Sequence, residues 1–463
     1  MRTFDDSKQK HRIDVLDGVR AVACLGVISF HLNLWSYAGH IWSPRLDNIG
    51  AIVSSLAFIG EMCIILFFIL SGFLLFLPFA RAMLFERTWP SVSHFYIRRA
   101  FRILPAYYLA LALMILYLAP EYLQHDHWPQ VWLFLSLQMD VPLTYQQINA
   151  PFWTLAIEFQ FYIFLPLIAW LMGRIVRGGT IHQRHLKLTL CIVGLFLWGM
   201  LTRYWGVMIA PTSKMDFLLP HNISDALLPY LYGTRGKFYD AFAIGMFIST
   251  SYAYLQGSPL HEHVRQIPQQ LSPWLFVLGL TIINIVNVWH FYAIYVANLA
   301  LHFLDPFQDF LLGGNKDIFM PLLFELGYGL CLFAIIHGKS YLRRPFEWLP
   351  LRQVGFISYS LYLWHDPLIL FFLSSLLPKF QQLDWSTAEQ YGVYVLWVVV
   401  SVFPLAVALY TWVELPSIRF GEKVYRQFNI LKKRGMLLSR NFEKYKKKII
   451  ARDKITGTAD KNS

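Results

Sequence analysis

Arg20 and His31 lie 11 residues apart in a largely apolar stretch of the 463-residue chain. Eleven residues is close to three helical turns, so on a helix both side chains share one face, roughly 16 Å apart along the axis. A guanidinium is always charged and matches phosphate oxygens, so Arg20 at a membrane edge suits a phosphate-bearing ligand. An imidazole titrates near neutrality, so His31, deeper on that face, suits removal of a proton from a hydroxyl. The competing structural reading has Arg20 snorkelling to the interface and His31 bonding the carbonyl of a neighbouring helix.

Glu158 falls in the apolar run Phe152–Tyr162. A carboxylate there must protonate or find a donor. It could orient the histidine, hold an acceptor hydroxyl or tie two helices together. Tyr162 follows one turn later on the same face. Arg98, Arg99 and Arg102 precede Tyr107 at what reads as a helix start. Guanidinium groups beside unpaired helix N–H groups make a phosphate cradle, unless they are ordinary topology anchors. Asp240, heading one apolar run, and Glu414, near the end of the last, are further candidates. Ser358, Tyr362 and His365 share a helical face that also reads as plain amphipathic aromatic packing. Cys24, Cys63, Cys191 and Cys331 have no close-spaced partners and read as small buried side chains, and no metal ligand set is present.

The elements that carry these residues must be membrane helices. Residues are 56% hydrophobic and only 15% charged, against about 25% charged in soluble domains. The apolar blocks are continuous and reach the roughly 20 residues that a bilayer core demands. They lack the period-two alternation of a barrel, so helices are favoured. The expectation is an all-α polytopic membrane protein of about ten transmembrane helices, near 15–37, 51–79, 103–119, 152–172, 188–210, 238–256, 272–299, 318–337, 355–377 and 391–413. Residues 128–139 read as a re-entrant or interfacial segment. An N-terminus in the cytoplasm gives the inner segments and tail 32 Lys/Arg and the outer loops six, so both termini are expected to be cytoplasmic. The first apolar run lacks a cleavage site and reads as a retained helix. From Arg419 onward there are 14 Lys/Arg against four Asp/Glu, so most of the formal charge of +12 is in the tail. That tail reads as a contact with anionic lipid or a topology anchor, and not as a nucleic-acid surface. The division expected is residues 1–14 as a cytoplasmic N-terminus, 15–416 as the membrane domain and 417–463 as a basic cytoplasmic tail.

In order along the chain, these pieces resemble the membrane-bound acyltransferase family 3. Leu16-Asp17-Gly18-Val19-Arg20-Ala21 with His31 matches its opening Arg-x10-His motif, and Phe67–Phe73 its FFxLSGF block. Arg98–Tyr107 resembles the arginine-rich entry to the third helix, and Trp153–Tyr162 the WSLxxExxFY motif. Asp240–Met246, Ile357–Pro367 and Trp412-Val413-Glu414-Leu415-Pro416 match later blocks. The resemblance implies a cell-membrane O-acyltransferase with no permanently bound cofactor. It would move an acyl group, usually acetyl, from cytoplasmic acyl-CoA to a hydroxyl of a carbohydrate or related acceptor. His31 would be the catalytic histidine, acting as base or carrying the acyl group, with Glu158 in its polar group. Arg20, Arg98, Arg99, Arg102 and Tyr107 would handle acyl-CoA, and Tyr162, Asp240, Tyr362, His365 and Glu414 would stand on the acceptor or supporting side. Four positions depart from the pattern: Ile65 where an acidic residue is usual, with Glu61 the nearest carboxylate; Phe159 for a second glutamate; Leu415 for a basic residue; and Asp366 for an aromatic one. The extramembrane hydrolase-like domain fused to some members is not expected within these residues. A transporter of a small polar or lipid-linked solute, or a lipid sensor without chemistry, would use the same buried charges.

Overall fold

A computed structural model of the chain describes residues 14–43, 54–212, 220–259, 262–295, 316–383 and 385–430. The first 13 residues, Arg45, Lys214 and the basic runs 432–434 and 446–448 lie outside the described residues. Every regular element among those described is helical. Ten are long: α1 (Val15–Ala38), α2 (Cys63–Phe85), α3 (Val92–Tyr117), α4 (Phe152–Val176), α5 (Ile181–Tyr204), α6 (Tyr239–Gly257), α7 (Glu262–Tyr295), α8 (Lys316–His337), α9 (Leu349–Phe371) and α10 (Thr387–Leu409). Nine of the ten, all but α6, belong to segments long and apolar enough to cross a bilayer.

α6 has 19 residues and carries Asp240, Ser249 and Thr250, which are completely buried. The hydroxyls of Ser249 and Thr250 both donate to the Met246 carbonyl at 2.9 Å, so the helix satisfies these two hydroxyls itself. Its burial is therefore a matter of packing rather than of apolar composition.

Several helices begin earlier than the apolar runs imply, because capping residues outrank charge. Thr180 with Gln183 and Ser386 with Glu389 form capping boxes that start α5 and α10. Ser91 Oγ accepts from the His94 amide at 3.3 Å as α3 begins. Arg98 is therefore six residues inside α3 and not at its start. The expected pairing of Arg98, Arg99 and Arg102 with free helix N–H groups is thus corrected, since those amides lie in the first turn. Residues 128–139 form the short helix Trp128–Leu135, with Trp128 and Trp132 exposed.

The chain divides into two compact units: Met1–Pro90 with Tyr107–Tyr410, and Ser91–Ala106 with Thr411–Ser463. In the second, Phe101 packs edge-on against Phe420 with centroids 5.6 Å apart, and His94 stacks on Tyr425 at 4.2 Å. In the first, small residues let backbones touch. A Cβ on Gly72 would overlap the carbonyl of Phe242, and one on Gly245 that of Ile69, so α2 and α6 meet main chain to main chain. The FFxLSGF glycine thus packs on the Asp240–Met246 block, two motifs far apart in sequence.

α1 and α9 are joined in the same way, by Gly355 on the backbone of Asp17, while Gly18 sits on the backbone of Phe346 in the short helix Ser340–Glu347 that precedes α9. Cys24 Sγ lies 3.5 Å from the Ser358 carbonyl and His31 lies against His365, both at a separation of 334 residues. Two contacts at one offset, two turns apart, mean that the helices run parallel in a fixed register. Leu361, Ile369 and Phe372, with Tyr394, Val398 and Val402 of α10, complete that core.

Candidate active site

The parallel register of α1 and α9 brings two imidazoles together. His31 Nδ1 lies 3.0 Å from the Val27 carbonyl, one turn back in its own helix, and 3.2 Å from His365 Nε2. His365 Nδ1 in turn lies 3.1 Å from the Leu361 carbonyl. Carbonyls only accept, so in the neutral rings both Nδ1 atoms carry the proton. The His31 Nδ1–H is shared between Val27 and the lone pair of His365 Nε2. His31 Nε2 is then unprotonated, and among the described residues it makes no hydrogen bond. His31 is half-buried, whereas His365 is completely buried.

The surroundings of the pair are polar and tied down. Asp366, buried at 1% exposure, accepts from Trp35 Nε1 at 2.7 Å, and its charge acts on His31. Pro367 has no amide to bond Leu363, and the freed Leu363 carbonyl accepts instead from Asn149 Nδ2 at 2.9 Å. This fixes α9 two residues before His365. Tyr362, 5.7 Å from His365 between ring centroids, shares a 2.6 Å hydrogen bond with Thr154 Oγ1 and donates to the Pro151 carbonyl at 3.2 Å. On α4, Glu158 accepts from Ser71 of the FFxLSGF block, whose hydroxyl is also 3.5 Å from Tyr162.

His31, His365, Tyr362, Glu158 and Tyr162 therefore belong to one neighbourhood built by α1, α2, α4 and α9. Arg20 lies lower on α1, 3.7 Å from Asp17. Arg98, Arg99, Arg102 and Glu414 belong to the second compact unit. Tyr107 is fully buried and donates to the Phe134 carbonyl at 2.8 Å, a bond that holds the helix Trp128–Leu135.

Asp240 sits away from the histidines in a buried charge set. Arg203 of α5 contacts Asp240 at 2.7 Å and Glu325 of α8 at 2.6 Å, with all three nearly inaccessible. Arg203 also lies over the Phe238 ring at 5.1 Å. Neither Arg203 nor Glu325 was among the sequence candidates, although each is an ionisable residue inside an apolar run. A second set lies between loops: Lys237 pairs with Asp140 and bonds Gln160 Oε1 at 3.0 Å, while Gln160 donates to Asp140 at 2.9 Å.

A third polar pair escaped sequence reasoning. Glu61, in the 3-10 turn Ile59–Met62 that precedes α2, lies 3.0 Å from His290 of α7. Its charge also reaches His31 and Arg235. Arg235, in the loop before α6, donates to the Tyr145 hydroxyl at 3.2 Å. Burial pulls its pKa down, but Tyr145, Glu61 and Asp317 outweigh that and raise it.

A multi-pass helical membrane protein with a histidine pair held between its first and ninth long helices is the class so defined. The chain belongs to the membrane-bound acyltransferase family 3, whose acyltransferase-domain profile matches residues 13–411. It is 25% identical over 378 residues to the peptidoglycan O-acetyltransferase OatA of Listeria monocytogenes, covering 76% of this chain and 49% of that protein. It is 25% identical over 384 residues to the putative peptidoglycan O-acetyltransferase YrhL of Bacillus subtilis, covering 78% and 49%. A putative O-acetyltransferase of Staphylococcus aureus is 25% identical over 387 residues, covering 80% and 52%. The chain thus spans about half the length of these relatives. No solved structure matches it.

Proposed function

We propose that the chain transfers an acetyl group from cytoplasmic acetyl-CoA to a hydroxyl of a peptidoglycan-type carbohydrate, with His31 as general base. The supporting observation is the orientation of the His31 ring, whose Nδ1–H is held by Val27 and His365 while Nε2 keeps its lone pair. The names of the relatives support the acetyl group and the acceptor class.

In this mechanism His31 Nε2 takes the hydroxyl proton as the oxygen attacks the thioester carbon. The tetrahedral intermediate collapses, the C–S bond breaks, and the departing thiolate takes the proton back from His31. While His31 is cationic, its Nδ1–H bond to His365 Nε2 is charge-assisted and stronger. His365 is thus a positioning residue. Arg20 holds donor phosphate. For Arg98, Arg99 and Arg102 the same role is proposed from their match to the family motif alone.

The test is thiol release by purified full-length protein given acetyl-CoA with and without chitotriose, a soluble N-acetylglucosamine acceptor. Acceptor-stimulated release that falls about 10²- to 10⁴-fold in His31→Ala supports the mechanism. Undiminished release in that variant would remove His31 from the chemistry, and solute uptake without thiol release would replace the enzyme with a transporter.

A further inference from the structure

Glu61 is not held as an isolated surface charge. Asn33 Nδ2 of α1 donates to the Ala57 carbonyl at 3.3 Å, and Asn287 Nδ2 of α7 donates to the Ser55 carbonyl at 2.7 Å. Gly60 sits directly on the backbone of Gly26, where a Cβ would overlap the Gly26 carbonyl and approach Phe30. The segment bearing Glu61 is therefore clamped between α1 and α7, next to the turn that carries His31. The side chains of Glu61 and His290 nevertheless remain 30% and 17% exposed, so a small molecule reaches them. Among the described residues, His290 supplies the one hydrogen bond to the carboxylate, which leaves capacity for hydroxyl donors.

Beside this pair runs a row of rings that ends at the base. Trp42 lies 5.9 Å from Phe58, Phe58 lies 6.2 Å from Phe30, and Phe30 lies edge-on to His31 at 5.1 Å. Trp42 is half-buried at the outer end of α1, and Phe58 is buried. Apolar ring surface with a few fixed polar groups is the usual composition of a small-molecule site. The particular combination suits a pyranose, which offers C–H faces to rings and hydroxyl donors to a carboxylate. Glu61 also disfavours an anionic acceptor, so a neutral sugar fits best.

We infer that Glu61 and His290, with the row Trp42–Phe58–Phe30, form the acceptor subsite, and that Glu61 binds a hydroxyl of a neutral sugar next to the one presented to His31. The departure at Ile65 has a physical sense on this basis. Glu61 precedes Ile65 by one helical turn, so the carboxylate is carried on the 3-10 turn at the mouth of the site rather than within α2. Arg235, held by the Tyr145 hydroxyl, acts electrostatically on the same carboxylate.

The inference rests on the acetyl-transfer reading, and the test separates the two. Purified full-length protein is assayed for thiol release with acetyl-CoA and chitotriose, and each KM is measured. Glu61→Gln is expected to raise the chitotriose KM roughly tenfold or more while the acetyl-CoA KM stays within about twofold. His290→Gln should shift in the same direction and serves as the second variant, with thermal melting to confirm folding. Chitotriose binding, measured by calorimetry, should survive in His31→Ala and be lost when Glu61→Gln is added. An unchanged acceptor KM in both folded variants, or an equal rise in both KM values, overturns the subsite. Wild-type turnover that chitotriose does not stimulate overturns the sugar as ligand. A wild type that releases no thiol at all brings down the catalytic reading beneath it.

Discussion

His365 Nε2 stands 3.2 Å from His31 Nδ1, and each ring also binds the carbonyl one turn before it in its own helix. The partly accessible ring is thereby oriented by a fully buried one. This arrangement differs from an imidazole oriented by a carboxylate alone, because His365 in its neutral form offers a lone pair without adding charge. The Asp366 carboxylate supplies charge nearby while engaged with Trp35.

Replacing His365 with Phe removes the acceptor from His31 Nδ1–H and keeps an aromatic ring in the core. A hydrogen bond to a charged group is worth about 1.5–3 kcal/mol, so kcat should fall roughly 10- to 100-fold with both KM values little changed. His365→Gln, whose carbonyl can accept, should recover part of the rate. Steady-state kinetics decide the matter: a rise in either KM that accounts for the whole loss would assign His365 to binding instead.

Arg20→Gln should raise the acetyl-CoA KM roughly tenfold and leave the acceptor KM unaffected, because the group proposed to meet phosphate is lost. The wild-type acetyl-CoA KM should also rise with ionic strength, and the variant should do so less steeply. Equal salt dependence in the two proteins would count against a phosphate contact at Arg20.

The buried Arg203–Asp240–Glu325 set makes a prediction about stability. Arg203→Met leaves two carboxylates facing one another without their cation. Breaking a buried ion pair on one side costs about 3–5 kcal/mol, so the melting temperature should drop sharply. The combination Arg203→Met, Asp240→Asn and Glu325→Leu should regain most of the loss. Thermal unfolding followed by size-exclusion recovery reads both effects, and a single variant as stable as wild type would show that the set carries no net stability.

Gly72→Ala places a methyl group against the Phe242 carbonyl where α2 and α6 touch. Overpacking of this kind costs about 1–3 kcal/mol. A lower melting temperature is expected. Gly194, which has open space around it, should accept alanine without penalty and serves as the control.

The membrane-helical class was legible because continuous apolar runs report directly on the solvent a helix requires. Against the expectation of about ten transmembrane helices stand ten long helices among the described residues, nine of them in segments long and apolar enough to cross a bilayer, with α6 carried by packing rather than by hydropathy. Boundaries were less legible. Ser91, Thr180 and Ser386 start helices several residues before the apolar runs, since a cap needs one hydroxyl and no hydropathy. Arg20 and His31 stood out because an ionisable group in an apolar run is costly. His365 was less visible, since its partner sits 334 positions away and only the parallel register of α1 and α9 joins them. Glu61 and His290 were invisible as a pair for the same reason: 229 positions separate them, and only the folded bundle joins them.

The separation of the two histidines also bears on how the protein is made. A nascent chain holds His31 and its local partner Val27 in the membrane from its first helix onward, but His365, which shares the Nδ1–H, emerges only after 334 more residues have been translated. A partly synthesised chain therefore carries an imidazole held by Val27 alone. In the proposed mechanism, competence arrives late, with insertion of the ninth long helix beside the first, and truncated products that stall in the bilayer would not consume cellular thioester.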